Sequence, residues 1–247
     1  MDNNRSKGSI ITENKNQIID IFCELLEVST HLILYVTKVY PIDFFDKREK
    51  YGTPVVMSRH PQLNGYIRDV ILSLKPYLQK DLIENIYILI INDKDKPVKR
   101  FVYTVKDLLQ KNYDRELNID EIGKLFNNFI RRIWGAPMDE LDENEDLSFQ
   151  FMVKLKGDGE SQSSDNSKFP WILADDDYLT PIQRKEEEQV SGGRYINKGK
   201  ERMDEDENDD NDEIMYIDEN ENVPPPKITS IYSVNNPSVK IQLYVED

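Results

Sequence analysis

Apolar residues recur at three- and four-residue steps through the first part of the chain. Ile18, Ile21, Leu25, Val28, Leu32, Tyr35 and Val39 form one row, and Phe22, Leu26, Ile33 and Val36 widen it. This spacing predicts a helix from about Asn16 to Val39, packed on most sides and stopped by Pro41. A second stripe, Leu63, Tyr66, Ile67, Val70, Ile71 and Leu74, predicts a helix from Pro61 to Leu78, with Pro61 in its first turn and Pro76 kinking or ending it. Ile86 to Ile91 is a continuous β-branched run, the pattern of a buried strand. Asn92 to Pro97 is turn chemistry, and Val98 to Val105 returns as the second arm of a hairpin. A third helix starts near Asn118, with Glu121 in capping-box spacing. Its face is Ile122, Leu125, Phe126, Phe129, Ile130 and Ile133, and Pro137 ends it.

Strict alternation follows. Leu147, Phe149, Phe151, Val153 and Leu155 interleave with more polar neighbours, which predicts a strand with one buried face. Ile228 to Val234 and Val239 to Val245 read as further strands. The order of elements is α+β rather than alternating α/β. Within the last third lies an apolar island, Phe169, Pro170, Trp171, Ile172, Leu173 and Ala174, with polar sequence on both sides. Such aromatics gain nothing in water, so the island must dock on its own domain or on a partner. Packing inside its own domain is the plainer reading of Trp171.

Charge divides the chain. The net charge is −15, but 18 acidic and 6 basic residues lie in 175–222, leaving 29 acidic and 26 basic elsewhere. A near-neutral folded part thus carries one acidic, low-complexity insert, 183–222, whose composition favours disorder, followed by the stiff run Val223-Pro224-Pro225-Pro226. This balance does not suit direct binding of nucleic-acid phosphates. The organisation expected is a flexible N-terminus at 1–15, a core at 16–156 and a C-terminal segment at 157–247. One cysteine, Cys23, excludes an internal disulfide and a cysteine-based zinc site and suits a reducing compartment. No apolar stretch approaches the length needed to span a bilayer.

Catalytic chemistry is missing from the pattern. No glycine-rich loop precedes a helix in the manner of a phosphate cradle. His31 reads as a core histidine and His60 as a helix N-terminus, and no third group orients either one toward Cys23. Glu24 and Glu27 read as a solvated or helix-pairing edge. The acidic run lacks the ligand spacing of a calcium loop. The expectation is a protein that is not an enzyme and uses no metal and no cofactor.

Several separated motifs carry a resemblance. Phe22-Cys23-Glu24-Leu25-Leu26-Glu27-Val28, His31 to Val36, and Val39-Tyr40-Pro41 resemble the first helix of the HORMA-domain family. Lys47-Arg48, Lys50-Tyr51, Pro54-Val55, His60 to Asn64 and Tyr66-Ile67 continue the match, and Phe169 to Asp175 and Gln242 to Glu246 complete it. The branch it resembles is the accessory subunit of translesion DNA polymerase zeta. That resemblance implies three helices on an antiparallel sheet, with 157–247 acting as a "safety belt" over an extended partner peptide. It implies a nuclear, non-catalytic adaptor that traps a peptide of the catalytic subunit and bridges it to the C-terminal domain of the scaffolding Y-family polymerase. An AAA+ remodelling ATPase is a further partner it leaves open. Tyr66 and Trp171, with Phe169, Pro170, Ile172 and Leu173, match the peptide channel. Gln242, Leu243 and Tyr244, with Val223, match the scaffold-binding segment. Lys38, Lys47 and Asn127 fall on the face through which the family dimerises. Asn127 replaces the family's arginine there, which argues against dimerisation through that face. The alternative role within the family is an adaptor for cell-cycle checkpoint regulators or DNA-end protection. An unrecognised enzyme is the reading from a different class.

Overall fold

A computed structural model of the protein describes residues 3–105, 119–137, 141, 146–156, 171, 227–235 and 240–247. The elements are α1 (Asn3–Val36), β1 (Phe45–Lys50), β2 (Thr53–Ser58), α2 (Pro61–Gln79), β3 (Ile83–Ile91), β4 (Pro97–Thr104), α3 (Ile119–Trp134), β5 (Ser148–Leu155), β6 (Ile228–Asn235) and β7 (Lys240–Glu246).

The main sheet is antiparallel with strand order β5-β3-β4-β7-β6, so β5 and β6 are its edges. Period-two alternation sends Ile86, Ile88, Ile90, Phe101, Tyr103, Leu243 and Val245 into one large core with the helices. The opposite face carries a smaller cluster of Tyr87, Leu89, Ile91, Val102 and Met152, with Tyr244 packed against it. The expected α+β architecture of three helices on an antiparallel sheet is therefore the one found.

α1 is the central helix and meets α2, α3 and β2. Its stripe is so broad that polar side chains are drawn in. Thr30 Oγ1 donates to Leu26 O at 2.7 Å, and Thr37 Oγ1 to Ile33 O at 2.7 Å, so each buried hydroxyl is satisfied within the helix. The fully buried Tyr103 hydroxyl, from β4, donates to Ser29 Oγ at 2.8 Å and ties the helix to the sheet.

Two boundaries differ from the sequence reading. α1 begins at Asn3, so residues 3–15 continue the helix where a flexible end was expected. The junction is held from outside the helix: Lys15 Nζ donates to Gln79 O at 2.5 Å, and Gln79 Nε2 to Asn16 Oδ1 at 3.0 Å. At its other end α1 stops before Pro41. Lys38 takes a left-handed conformation, φ 55°, and closes the last turn through Lys38 N to Tyr35 O.

A hairpin of β1 and β2 was not anticipated. Its turn is Tyr51-Gly52 with φ of 51° and 67°, the two positive values of a tight two-residue hairpin turn. Charged residues on β1 hide the alternation, yet the Tyr-Gly pair before Thr53 was the legible signal. Tyr51 donates to Glu24 on α1 at 2.5 Å and meets Phe126 on α3 edge-on at 5.3 Å, so the turn bridges two helices.

Candidate partner-binding site

The outer edge of β5 is bonded to no other strand among the described residues, because β5 pairs only with β3. Beside it stands an aromatic group built from three elements. Tyr66 comes from α2, Tyr40 from the turn after α1, and Phe149 and Phe151 from β5 itself. Tyr66 meets Phe149 edge-on at 5.8 Å, Phe149 meets Phe151 at 5.9 Å, and Tyr40 meets Phe149 at 6.4 Å. Tyr40, Phe44, His60, Leu63, Tyr66 and Phe149 line a cavity of about 460 Å³. A mostly apolar concavity with a few polar tips is the form small side chains of a ligand enter.

Local sequence positions Tyr66. His60 caps α2 by accepting from Leu63 N at 3.4 Å, His60 N donates to Ser58 Oγ at 3.0 Å, and Asn64 Nδ2 donates to Ser58 O at 2.8 Å. The cap fixes where the helix starts. Ile67, Val70 and Ile71 then turn inward, leaving Tyr66 36% exposed over β5. Burial pushes the hydroxyls of Tyr66 and Tyr40 up from their usual range, so both stay protonated hydrogen-bonding tips.

Trp171 is half-buried and packs against the main core. Its indole N–H is buried and has no acceptor. Phe169, Pro170, Ile172 and Leu173 lie outside the described residues, as do Val223, the acidic insert and most of 157–226. Sequence reasoning named Tyr66 and Trp171 but treated Phe149 as core and passed over Tyr40 and Phe44.

On β7 the alternation holds. Ile241, Leu243 and Val245 are buried, Gln242 is exposed, and Tyr244 is half-buried against the smaller cluster. One expectation needs correction. Leu243 is fully buried, so its side chain cannot contact a scaffold; it anchors the strand to the core. Ile228, 62% exposed, was missed. It pairs with Glu246 across β6–β7, which puts it on the face of Gln242 and Tyr244. Burial and the neighbouring Glu246, Tyr87 and Glu84 push the Tyr244 hydroxyl up to about 12.

Lys38 and Lys47 are exposed at the end of α1 and on β1, and Asn127 is half-buried on α3 with its Oδ1 unpartnered. Cys23 and His31 are both buried. Burial pushes Cys23 up to about 12 and His31 down to about 4, and neither His31 nitrogen has a partner. No group of three His, Cys, Asp or Glu suited to a metal occurs among the described residues. Among the described residues, no helix is long and apolar enough to cross a membrane.

Comparison with known proteins matches this geometry. The chain is 36% identical over 172 residues to the human "Mitotic spindle assembly checkpoint protein MAD2B", covering 66% of this chain and 79% of that protein. It belongs to the MAD2B family. A further relative, the "DNA polymerase zeta processivity subunit" of Schizosaccharomyces pombe, is 41% identical over 90 residues, covering 36% of this chain and 42% of that protein. No family model matches the chain. Among solved structures, a chain of the "Crystal Structure of Mitotic Checkpoint Complex" superposes with a TM-score of 0.55 at 15% identity, covering 92% of this chain and 97% of that one. HTP-2 bound to the HTP-3 motif-6 superposes at 0.54 and 8% identity, covering 91% and 87%. This chain thus has the HORMA fold, as its sequence motifs implied.

Proposed function

We propose that this protein is the non-catalytic HORMA adaptor of DNA polymerase zeta. It traps an extended peptide of the catalytic subunit beneath its C-terminal segment and offers the outer face of the β6–β7 hairpin to the scaffolding Y-family polymerase. The carrying observation is the outer edge of β5, paired with no strand among the described residues, beside the Tyr40–Tyr66–Phe149 cavity. A free strand edge binds an extended peptide through its backbone, and adjacent pockets read the side chains. The C-terminal hairpin sits on β4, away from β5. The processivity-subunit name of the fission-yeast relative supports the polymerase assignment, and neighbours of this fold with bound closure motifs support peptide trapping.

The site residues follow this reading. Tyr66 and Trp171 contact the peptide, with Phe169, Pro170, Ile172 and Leu173 continuing the channel. Gln242, Tyr244 and Ile228 contact the scaffold. The work is done in the nucleus. The checkpoint name carried by the MAD2B relatives favours a second reading, an adaptor for cell-cycle regulators. Purification of the tagged protein after DNA damage separates the two. Recovery of the polymerase catalytic subunit, with protection of β5 amides from hydrogen exchange in that complex, is expected. Recovery of cell-cycle regulators without the polymerase would overturn the first reading in favour of the second.

A further inference from the structure

The end of α3 carries an exposed aromatic face with a basic rim. Trp134 is 46% exposed and meets Tyr35 of α1 at 5.3 Å, and Tyr35 meets Phe45, the first residue of β1, edge-on at 5.5 Å. Lys47 follows two residues after Phe45 and so leaves β1 on the same side. Lys124, Arg131 and Trp134 are spaced seven and then three apart, which keeps them on one side of the helix. Lys47, Lys124 and Arg131 are exposed, and none makes an ion pair among the described residues. The nearby Arg48, Lys50 and Arg59 are already paired, with Asp46 or Glu24. From Lys124 to Trp134, α3 has no acidic residue.

The sequence supplies a matching segment. Asp212-Glu213-Ile214-Met215-Tyr216-Ile217-Asp218-Glu219 falls within the acidic insert, outside the described residues. Ile214 to Ile217 is the longest apolar run in 183–222, and two acids flank it on each side. An apolar run gains nothing in water, and its acidic frame steers it away from other acidic surfaces. Its complement is an aromatic surface ringed by unpaired cations, since Trp, Tyr and Arg carry much of the binding energy where proteins meet. The tether makes the encounter intramolecular. Ile217 lies ten positions before Lys227, and an extended chain of that length spans roughly 33 Å. Tyr232, five residues beyond Lys227, touches Phe129 of α3 at 5.5 Å, so α3 is within reach. A ligand on such a tether is held at an effective concentration on the order of millimolar, and weak contacts then suffice.

We propose that the Tyr35–Trp134 face binds this chain's own segment Asp212–Glu219, with Ile214 and Ile217 on the rings and the flanking carboxylates on Lys47, Lys124 and Arg131. The contact is local. It covers the face without ordering the rest of the insert, and substitutions in the segment leave the core untouched. Any other chain that uses this face must first displace the segment, and rising ionic strength, which screens exposed charges, uncovers it. None of this depends on the peptide channel at β5.

Carbodiimide coupling and nuclear magnetic resonance on the full chain test the proposal. Carbodiimide joins an amine to a carboxylate only where the two are in contact. Coupling of Lys47 or Lys124 to Asp212, Glu213, Asp218 or Glu219 is expected, and its yield should fall at least about fivefold at about 0.5 M salt. In a mixture of unlabelled and nitrogen-15-labelled protein, the coupled residues should belong to one chain. Ile214→Ser with Ile217→Ser is expected to shift the indole N–H signal of Trp134, assigned through Trp134→Phe, and to leave that of Trp171 in place. Deleting 183–222 should produce the same shift. A Trp134 signal indifferent to both changes overturns the proposal and leaves the face to another protein. Coupling only between labelled and unlabelled chains overturns it in favour of a second copy. Undiminished coupling in the serine variant would refute the apolar seat, and absence of coupling to 212–219 would refute the ionic one.

Discussion

Tyr66 on α2 and Phe149 on β5 meet edge-on at 5.8 Å, with an interplanar angle of 77°. The contact joins the helix layer to the edge strand of the described sheet. One ring is exposed and the other is 6% exposed, so Phe149 is the floor of the cavity and Tyr66 its rim. Substituting the rim changes recognition, whereas substituting the floor damages the core as well.

Tyr66→Ala is therefore expected to weaken binding of the polymerase catalytic-subunit peptide by about 2 kcal/mol or more, as truncation of a central aromatic anchor does. Trp171→Ala should do the same, with the additional loss of a buried N–H that a peptide carbonyl can satisfy. Calorimetric titration of the peptide against each folded variant checks this. Wild-type affinity in both would place the channel elsewhere.

The hairpin face provides a separate handle. Gln242→Ala with Tyr244→Ala is expected to abolish binding to the scaffold's C-terminal domain and to spare the trapped peptide. Tyr244 also packs against the smaller cluster, so its loss should cost about 1–3 kcal/mol of stability. Ile228→Ser avoids that cost because Ile228 is 62% exposed, and should still weaken scaffold binding about tenfold. Pull-downs with the two partners separately decide the matter: loss of both would make the face structural, and retention of both would move the interface.

His31 makes stability depend on acid. Burial holds its imidazole down at about 4, below its ordinary value of 6.5, so the unfolded chain takes up a proton first as pH falls. Stability is unaffected by this group above about pH 6.5 and declines between there and about pH 4, by up to about 3 kcal/mol. Denaturant melts of wild type and His31→Leu across that window should differ in slope, with the decline reduced in the variant. Parallel curves would show that His31 is protonated alike in both states.

Deleting 183–222 is expected to leave peptide affinity unchanged and to shift the melting temperature by less than about 2 °C. The segment holds too little apolar surface to offset the entropy of ordering it. Thermal melting together with the same titration checks this. A chain that fails to fold without the segment would give it a structural role.

Periodicity alone determined most of the architecture. The α1 stripe, the β3–β4 hairpin and the inward trio Ile241, Leu243 and Val245 were all readable, because burial of an apolar face imposes a period on the residues that form it. The family motifs pointed to Tyr66 and Trp171. Tertiary structure decided what periodicity cannot encode. α1 is tied at Lys15 and Asn16 to Gln79, a residue more than sixty positions away. The β1–β2 hairpin has few buried residues of its own on β1, so its pattern is faint until Tyr51 reaches Glu24 and Phe126. Strand order, which puts β5 at an edge of the described sheet and seats the hairpin on β4, arises from pairing between distant segments. The ion pair of buried Lys99 with Asp247 has the same cause, since β7 brings that carboxylate to β4.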